Sequence, residues 1–376
     1  MKKSGSFTFI LLVSTLFIAM LTPVLAYQDT DIFNQSRKEA VVAYTLARVK
    51  ADGGFAETAG NASLITTYHG IKCLDILGVL AEFAKSTTVT WIDSFQNASS
   101  GAYRSSDDPF DLSIQATSYA ISSLMLLGDS AEIETSVVDF INSLQNNDGG
   151  YGNKEGNSST ISATYLAIRA LLDYNSTNDI GNATEWLQSR QNNFSSHVNY
   201  GAFITNLSLI QYSIVSSWEA VEGIYHVLQE NINIDNTDAL INWVNSCQNL
   251  EYNNLDKGSF RNSPSESASQ MIYAAAAARI VKILNRQTDI DVSWLASWIL
   301  TCQNTDGGFG ATPEATESTL SSTYYAVLTL DALGHAYLLN EIVPWQTFPQ
   351  ISVVFIIFLI VLIVSICAII IKKRYF

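Results

Sequence analysis

Eight side chains able to do chemistry stand at two positions of a helix that the sequence repeats: His69 and Lys72, Tyr119, Arg169, Glu219 and Glu222, Tyr273 and Tyr325. Two carboxylates, two cations, an imidazole and three phenols can orient a polar ligand, the charges acting as handles and the rings as walls. The same set can instead pair internally and plug whatever space it faces. A buried charge left without a partner is unfavourable by several kcal/mol, on the order of a whole domain's net stability.

The elements that would position these residues come from a repeat. Between residues 31 and 340 a helix-turn-helix unit recurs six times, with a Gly-x-aromatic turn. The clearest copies are Gln145-Asn-Asn-Asp-Gly-Gly-Tyr151 and Gln303-Asn-Thr-Asp-Gly-Gly-Phe309. The others are Gly53-Gly54-Phe55, Gly101-Ala102-Tyr103, Gly201-Ala202-Phe203 and Gly258-Ser259-Phe260, and successive anchors lie 48, 48, 52, 57 and 49 residues apart. A period near 50 with two helices per unit predicts a closed or stacked all-helical array.

The second helix of each unit aligns without gaps. One column reads Thr67, Thr117, Thr164, Ser217, Met271, Thr323, and the column three places on is small throughout: Gly70, Ala120, Ala167, Ala220, Ala274, Ala326. With the next columns, which begin at Ile71 and Leu74, these form one apolar stripe of helical period, explained by packing alone. The small column predicts close approach by another helix. The opposite face carries the eight polar and aromatic residues above, together with Ser122, Leu166, Ala276 and Leu328. In a six-fold ring repeat one lies across from repeat four and repeat three beside it, so Lys72 and Arg169 are expected to approach Glu219 and Glu222.

Gln-x3-Gly-x-aromatic before a small-residue helix resembles the repeat of squalene and other terpene cyclases, and the Gly-Gly-Phe repeat of protein prenyltransferase beta subunits. The resemblance covers nearly the whole repeat region. It implies an all-α (α/α)6 toroid, with six inner helices around a cavity and six outer ones, each Gln and aromatic tying a helix end to the next turn. It also implies where catalysis would sit. Terpene cyclases of class II protonate their substrate with an Asp-x-Asp-Asp, and the matching Ser113-Ile114-Gln115-Ala116 has no acid. Prenyltransferases hold zinc with an Asp-x-Cys and a later His; the matching positions are Ser321 and Thr323, with Tyr68-His69 resembling the histidine segment from repeat one. No metal and no cofactor is therefore expected. No Cys-Gly-Glu-Gln of a complement-type thioester toroid occurs. Asp107-Asp108-Pro109-Phe110-Asp111 resembles the Asp-Asp-x-x-Asp magnesium motif of class I isoprenoid enzymes, but Pro109 disfavours helix at Asp108 and predicts a loop with Asp111 as a helix cap. His197-Val-Asn199-Tyr200 carries residue types used by toroidal polysaccharide lyases, again on a loop.

Both ends of the chain predict a location. Residues 1–26 read as a secretory signal, with Lys2-Lys3, an apolar run from Phe7 to Leu21 and small residues before the cleavage point. Residues 27–340 form the extracytoplasmic repeat domain and 341–350 a juxtamembrane linker. Residues 351–371 contain no charge and, as a helix, would extend about 31 Å, the thickness of a bilayer core. Lys372-Lys373-Arg374 begins the cytoplasmic tail 372–376, and this basic cluster sets the orientation. The expectation is a single-span protein of the cell membrane. Eight Asn-x-Ser/Thr sequons (Asn34, Asn61, Asn97, Asn157, Asn175, Asn182, Asn193, Asn206) fit glycosylation outside the membrane. A formal charge of −15 over 376 residues argues against nucleic acid or anionic lipid as the partner of the repeat domain. Of four cysteines, Cys73 falls on an apolar helix, Cys367 in the span, and Cys247 and Cys302 recur as Cys-Gln-Asn, where either a bridge or two buried thiols is open. Two function classes follow: a binding module for a glycan, peptide, protein or apolar small molecule, or an enzyme acting on an isoprenoid or other apolar substrate.

Overall fold

The computed structural model describes residues 35–343 except 107, 109–110, 130–134, 175, 177–179, 206–210 and 253. The signal, the span at 351–371, Cys367 and the sequons at Asn34, Asn175 and Asn206 lie outside the described residues. Among those described, no helix is long and apolar enough to cross a membrane. Residues 38–340 form one compact unit. In the other, Arg37 N donates to Glu341 O and Ser36 bridges to Ile342.

Twelve α-helices are found among the described residues. The outer ones are α1 (Arg37–Leu46), α3 (Ser86–Asp93), α5 (Thr135–Ser143), α7 (Ile180–Gln188), α9 (Thr237–Ser246) and α11 (Val292–Thr301). The inner ones are α2 (Leu64–Ile76), α4 (Ile114–Leu126), α6 (Ile161–Asp173), α8 (Ile214–Leu228), α10 (Met271–Ile283) and α12 (Leu320–Ala332). Each inner helix packs on the next, and α12 packs on α2, so the six close into a ring.

The turn explains why the repeat is so regular. Phe55, Tyr103, Tyr151, Phe203, Phe260 and Phe309 are all fully buried. The amide of each aromatic needs an acceptor there, and in five repeats the inner-helix hydroxyl column supplies it: Thr67, Thr117, Thr164, Ser217 and Thr323 accept at 2.9–3.1 Å. The column predicted to serve packing alone is thus a hydrogen-bonding device as well. Gln96, Gln145, Gln191, Gln248 and Gln303 donate through Nε2 to the turn-glycine carbonyl at 3.0–3.2 Å, fixing the other side of the anchor. The small column receives the anchor ring rather than a neighbouring helix where this can be seen directly: a Cβ on Gly70 would stand 2.3 Å from Phe55.

Successive units are stitched by a backbone bond that starts two residues after the aromatic. The first amide of an inner helix donates to that carbonyl in the next repeat: Ile114 to Asn153, Ile214 to Asn262, Met271 to Ala311. Leu320 donates in the same way to Glu57, joining repeat six to repeat one. The turn glycine abuts the next outer helix. Gly258, at φ +97°, would place a Cβ 2.2 Å from Trp294 O, and Gly307, at φ +89°, one 2.5 Å from Ala40 O of α1. Only glycine satisfies both the positive φ and the close approach. Ring closure therefore uses the same two contacts as the seams between repeats two and three, four and five, and five and six.

Five of the six inner helices start on hydroxyl caps, α10 after Gln270 being the exception. Ser63, Ser113, Thr160, Ser213 and Thr319 each accept from an amide of the first turn. Asp111, the expected cap, does not cap α4; Ser113 does, and Asp111 pairs with Lys154. Cys247 and Cys302 are buried free thiols, and burial pushes Cys247 up to about 12, so neither is a ready thiolate.

Candidate functional site at the centre of the ring

Side chains on a helix lean toward its N-terminus, and the centre is layered accordingly. Nearest the N-terminal ends of the inner helices, Glu57 from a turn accepts from Ser321 N (3.0 Å) and Ser321 Oγ (2.7 Å) at the start of α12. Ser321 Oγ is also 3.0 Å from His69 Nδ1. The serine proton is committed to the carboxylate, so Nδ1 carries the imidazole hydrogen and Nε2 is left as an acceptor. His69 is buried, stacks on Tyr324 at 4.6 Å and meets Tyr325 at 5.3 Å. Burial, reinforced by Arg169, drives its pKa down to about 3, so the ring is neutral.

On the neighbouring side, Glu219 of α8 is half-buried and accepts from Ser162 Oγ at 2.9 Å. Burial pushes this carboxyl up to about 7, opposed by the Ser162 bond and the charge of Arg169. Tyr119, Tyr273 and Tyr325 are half-buried as well.

The middle layer is aromatic. Tyr68 approaches Tyr119 at 5.3 Å and Tyr324 at 6.1 Å, Tyr324 approaches Tyr325 at 5.1 Å, and Trp218 approaches Tyr325 edge-on at 6.5 Å. Arg169 threads into this layer, its guanidinium 4.9, 5.0 and 5.6 Å from the rings of Tyr68, Tyr119 and Tyr165. It donates through Nη2 to Ser118 Oγ at 3.1 Å.

Toward the C-terminal ends, Arg279 of α10 grips both oxygens of Glu222, and Trp218 Nε1 donates to the same carboxylate. Burial would raise the Glu222 pKa, but Arg279, its hydrogen bonds and Trp218 hold it below the ordinary carboxylate value. His226 Nε2 lies 3.8 Å from Glu222, and Asp173 accepts from Ser122 at 2.8 Å.

Six of the eight predicted residues come together at the centre: His69, Tyr119, Arg169, Glu219, Glu222 and Tyr325. Lys72 and Arg169, however, do not pair with the glutamates. Lys72, only half-buried, turns to Asp75 one turn along its own helix, at 2.8 Å, where it can stay hydrated. Arg169 is engaged by tyrosine faces, and the cation of Glu222 is Arg279. Sequence reasoning missed Arg279 although it sits one turn beyond Ala276 on the same face. It also missed Tyr68, Tyr165, Trp218 and Tyr324, because the inward arc is wider than the two positions assigned to it and includes the residue just before the first. Glu57 carried no helical signal at all.

The donor set does not fit the zinc of the resembled transferases. Thr323 Oγ1 is held by Phe309 N and Thr319 O, Ser321 by Glu57 and His69, and hydroxyls are poor zinc ligands. Among the described residues no group of three His, Cys, Asp or Glu is arranged to hold a metal. His197, Asn199 and Tyr200 lie outside the ring in the long turn of repeat four, where Asn199 accepts from Trp243 Nε1 and Tyr200 donates to Asn236.

The prenyltransferase alpha-alpha toroid domain profile matches residues 12–202 and 195–354, and the chain belongs to that family. Among solved structures, it is similar to a Candida albicans protein geranylgeranyltransferase-I complexed with GGPP, at 18% identity and TM-score 0.57, over 78% of this chain and 90% of that one. It is also similar to a protein from Actinoplanes, at 14% identity and TM-score 0.54, over 80% and 98% of the two chains. A type II terpene cyclase from Scytonema matches at 11% identity and TM-score 0.54, over 80% and 97%. No curated protein matches the sequence. At these identities the likeness establishes the fold alone.

Proposed function

We propose that this protein is a cell-surface, membrane-anchored toroid that binds a ligand or partner, such as a glycan, peptide or protein, through the centre of its ring. One observation carries the reading: at the centre Arg169 and the carboxyls of Glu57, Asp173 and Glu219 are held by serine hydroxyls rather than by ion pairs among the described residues, beside half-buried tyrosines. A centre that served only to plug the ring would pair them, as it pairs Glu222 with Arg279. The signal-like start and the apolar stretch at 351–371 support a surface location.

The family relationship favours a second reading, an enzyme acting on an isoprenoid or other apolar substrate. The chemistry of the centre supports it less. Protonating a hydrocarbon needs a strong acid, whereas Glu219 is held near 7, a weaker acid than a free glutamate. Ser113-Ile114-Gln115-Ala116 offers no replacement.

Protease added to intact cells should remove the toroid and spare a C-terminal tag; digestion of the tag with survival of the toroid reverses the orientation. Purified full-length protein given geranylgeranyl diphosphate should release no pyrophosphate and form no cyclised product. Turnover of that substrate would establish the enzyme instead.

A further inference from the structure

Arg169 and Arg279 are both enclosed guanidiniums reaching into the same ring, and the fold treats them differently. Arg279 is clamped onto both oxygens of Glu222. Arg169, only 9% exposed, has one hydrogen bond, to Ser118; its Nε is buried with no acceptor, and among the described residues no carboxylate forms an ion pair with it. The rings of Tyr68, Tyr119 and Tyr165 surround the guanidinium, its central carbon 4.9–5.6 Å from their centroids. Ring faces attract the charge but supply no oxygen acceptor, so apart from the bond to Ser118 the N–H donors that suit a planar carboxylate are not used up by these contacts. Two of these rings, Tyr68 and Tyr119, are only half-buried, so the aromatic wall around the guanidinium is exposed in part.

Building on the binding reading above, we propose that Arg169 anchors a carboxylate site, in which a monoanionic organic acid lies edge-on to the guanidinium with Ser118 as a second donor and the tyrosines around its apolar part. A monoanion is favoured over a dianion by charge. Arg279 is already neutralised by Glu222, and the carboxyls of Asp173 and Glu219 already bear on Arg169, so a second negative charge on the ligand would add repulsion with no cation to offset it.

Titration calorimetry on the full-length protein with benzoate, acetate and pyrophosphate tests this. Benzoate should bind saturably and at least tenfold more weakly to Arg169→Met and Arg169→Lys, the latter keeping the charge but losing the fork. Ligand-free Arg169→Met should melt no lower than wild type, since it removes an unpaired buried charge. Ser118→Ala, a smaller change, should weaken benzoate severalfold. The proposal is overturned if wild type binds neither carboxylate, if Arg169→Met binds benzoate equally well, or if pyrophosphate binds more tightly than benzoate. Failure here with no turnover of geranylgeranyl diphosphate removes the carboxylate assignment alone; turnover removes the binding reading beneath it.

Discussion

The turns and the axis of this ring are built on opposite plans. In the turns, the six repeats solve one problem in nearly one way: a fully buried aromatic, an amide answered by a hydroxyl, a glycine pressed against the next outer helix. Along the axis, equivalent positions hold His69, Tyr119, Leu166, Glu219, Tyr273 and Tyr325, so only repeats two, five and six carry the same residue. Repetition is what packing requires of a closed array, since every seam must fit the same partner geometry.

The largest expected effect tests the turn side of this contrast. Phe309→Ala empties a fully enclosed site and should lower unfolding free energy by about 3–5 kcal/mol in denaturant titration. A loss below about 1 kcal/mol would mean the anchors are not what stabilises the ring. Next comes the one axial pair that behaves structurally. Glu222→Gln strands the Arg279 charge and should destabilise by about 3–5 kcal/mol, most of which Glu222→Gln with Arg279→Met should recover. Additive single and double effects would show that the two groups do not share one interaction.

Glu219 gives a smaller, pH-dependent signature. Its folded pKa, near 7, lies above the unfolded value of 4.5, so the fold favours the protonated form. That contribution is complete below about pH 4.5 and is lost as pH rises through 7. Glu219→Gln should therefore match wild type in stability at pH 4.5 and exceed it above pH 7, by an amount on the order of 3 kcal/mol at most. Parallel stability curves across that range would mean Glu219 is solvated. The smallest effect belongs to Lys72. Its half-exposed bond to Asp75 is an ordinary surface pair, and Lys72→Met should shift stability by less than about 0.5 kcal/mol. A larger loss would return Lys72 to the axial network from which the structure removes it.

The toroid was legible because the Gly-x-aromatic turn recurs and the apolar stripe has helical period, both local properties of the chain. The inward face was legible in part, since it is the complement of that stripe, and this brought His69, Glu219, Glu222 and Arg169 onto one axis. Their partners were not. Whether Glu222 meets Arg169 or Arg279 depends on which neighbour's side chain leans into its layer, and that direction is a property of two packed helices rather than of either sequence. The hydroxyl column shows the same limit from the other side. Thr117 looks like packing until the Tyr103 amide is seen to need its oxygen.

By itself the sequence determined the repeat, the helix count of each unit, the aromatic anchors and the set of charges available to the centre. These depend on contacts within about ten residues or on period alone. Only the tertiary structure decided that repeat six closes on repeat one through Leu320 and Glu57, that Ser321 joins Glu57 to His69, and that Arg279 rather than Arg169 neutralises Glu222. Each of these contacts joins different repeats, across separations of up to 264 residues. Nothing in a local pattern specifies which long side chain will reach which charge once six helices have closed into a ring.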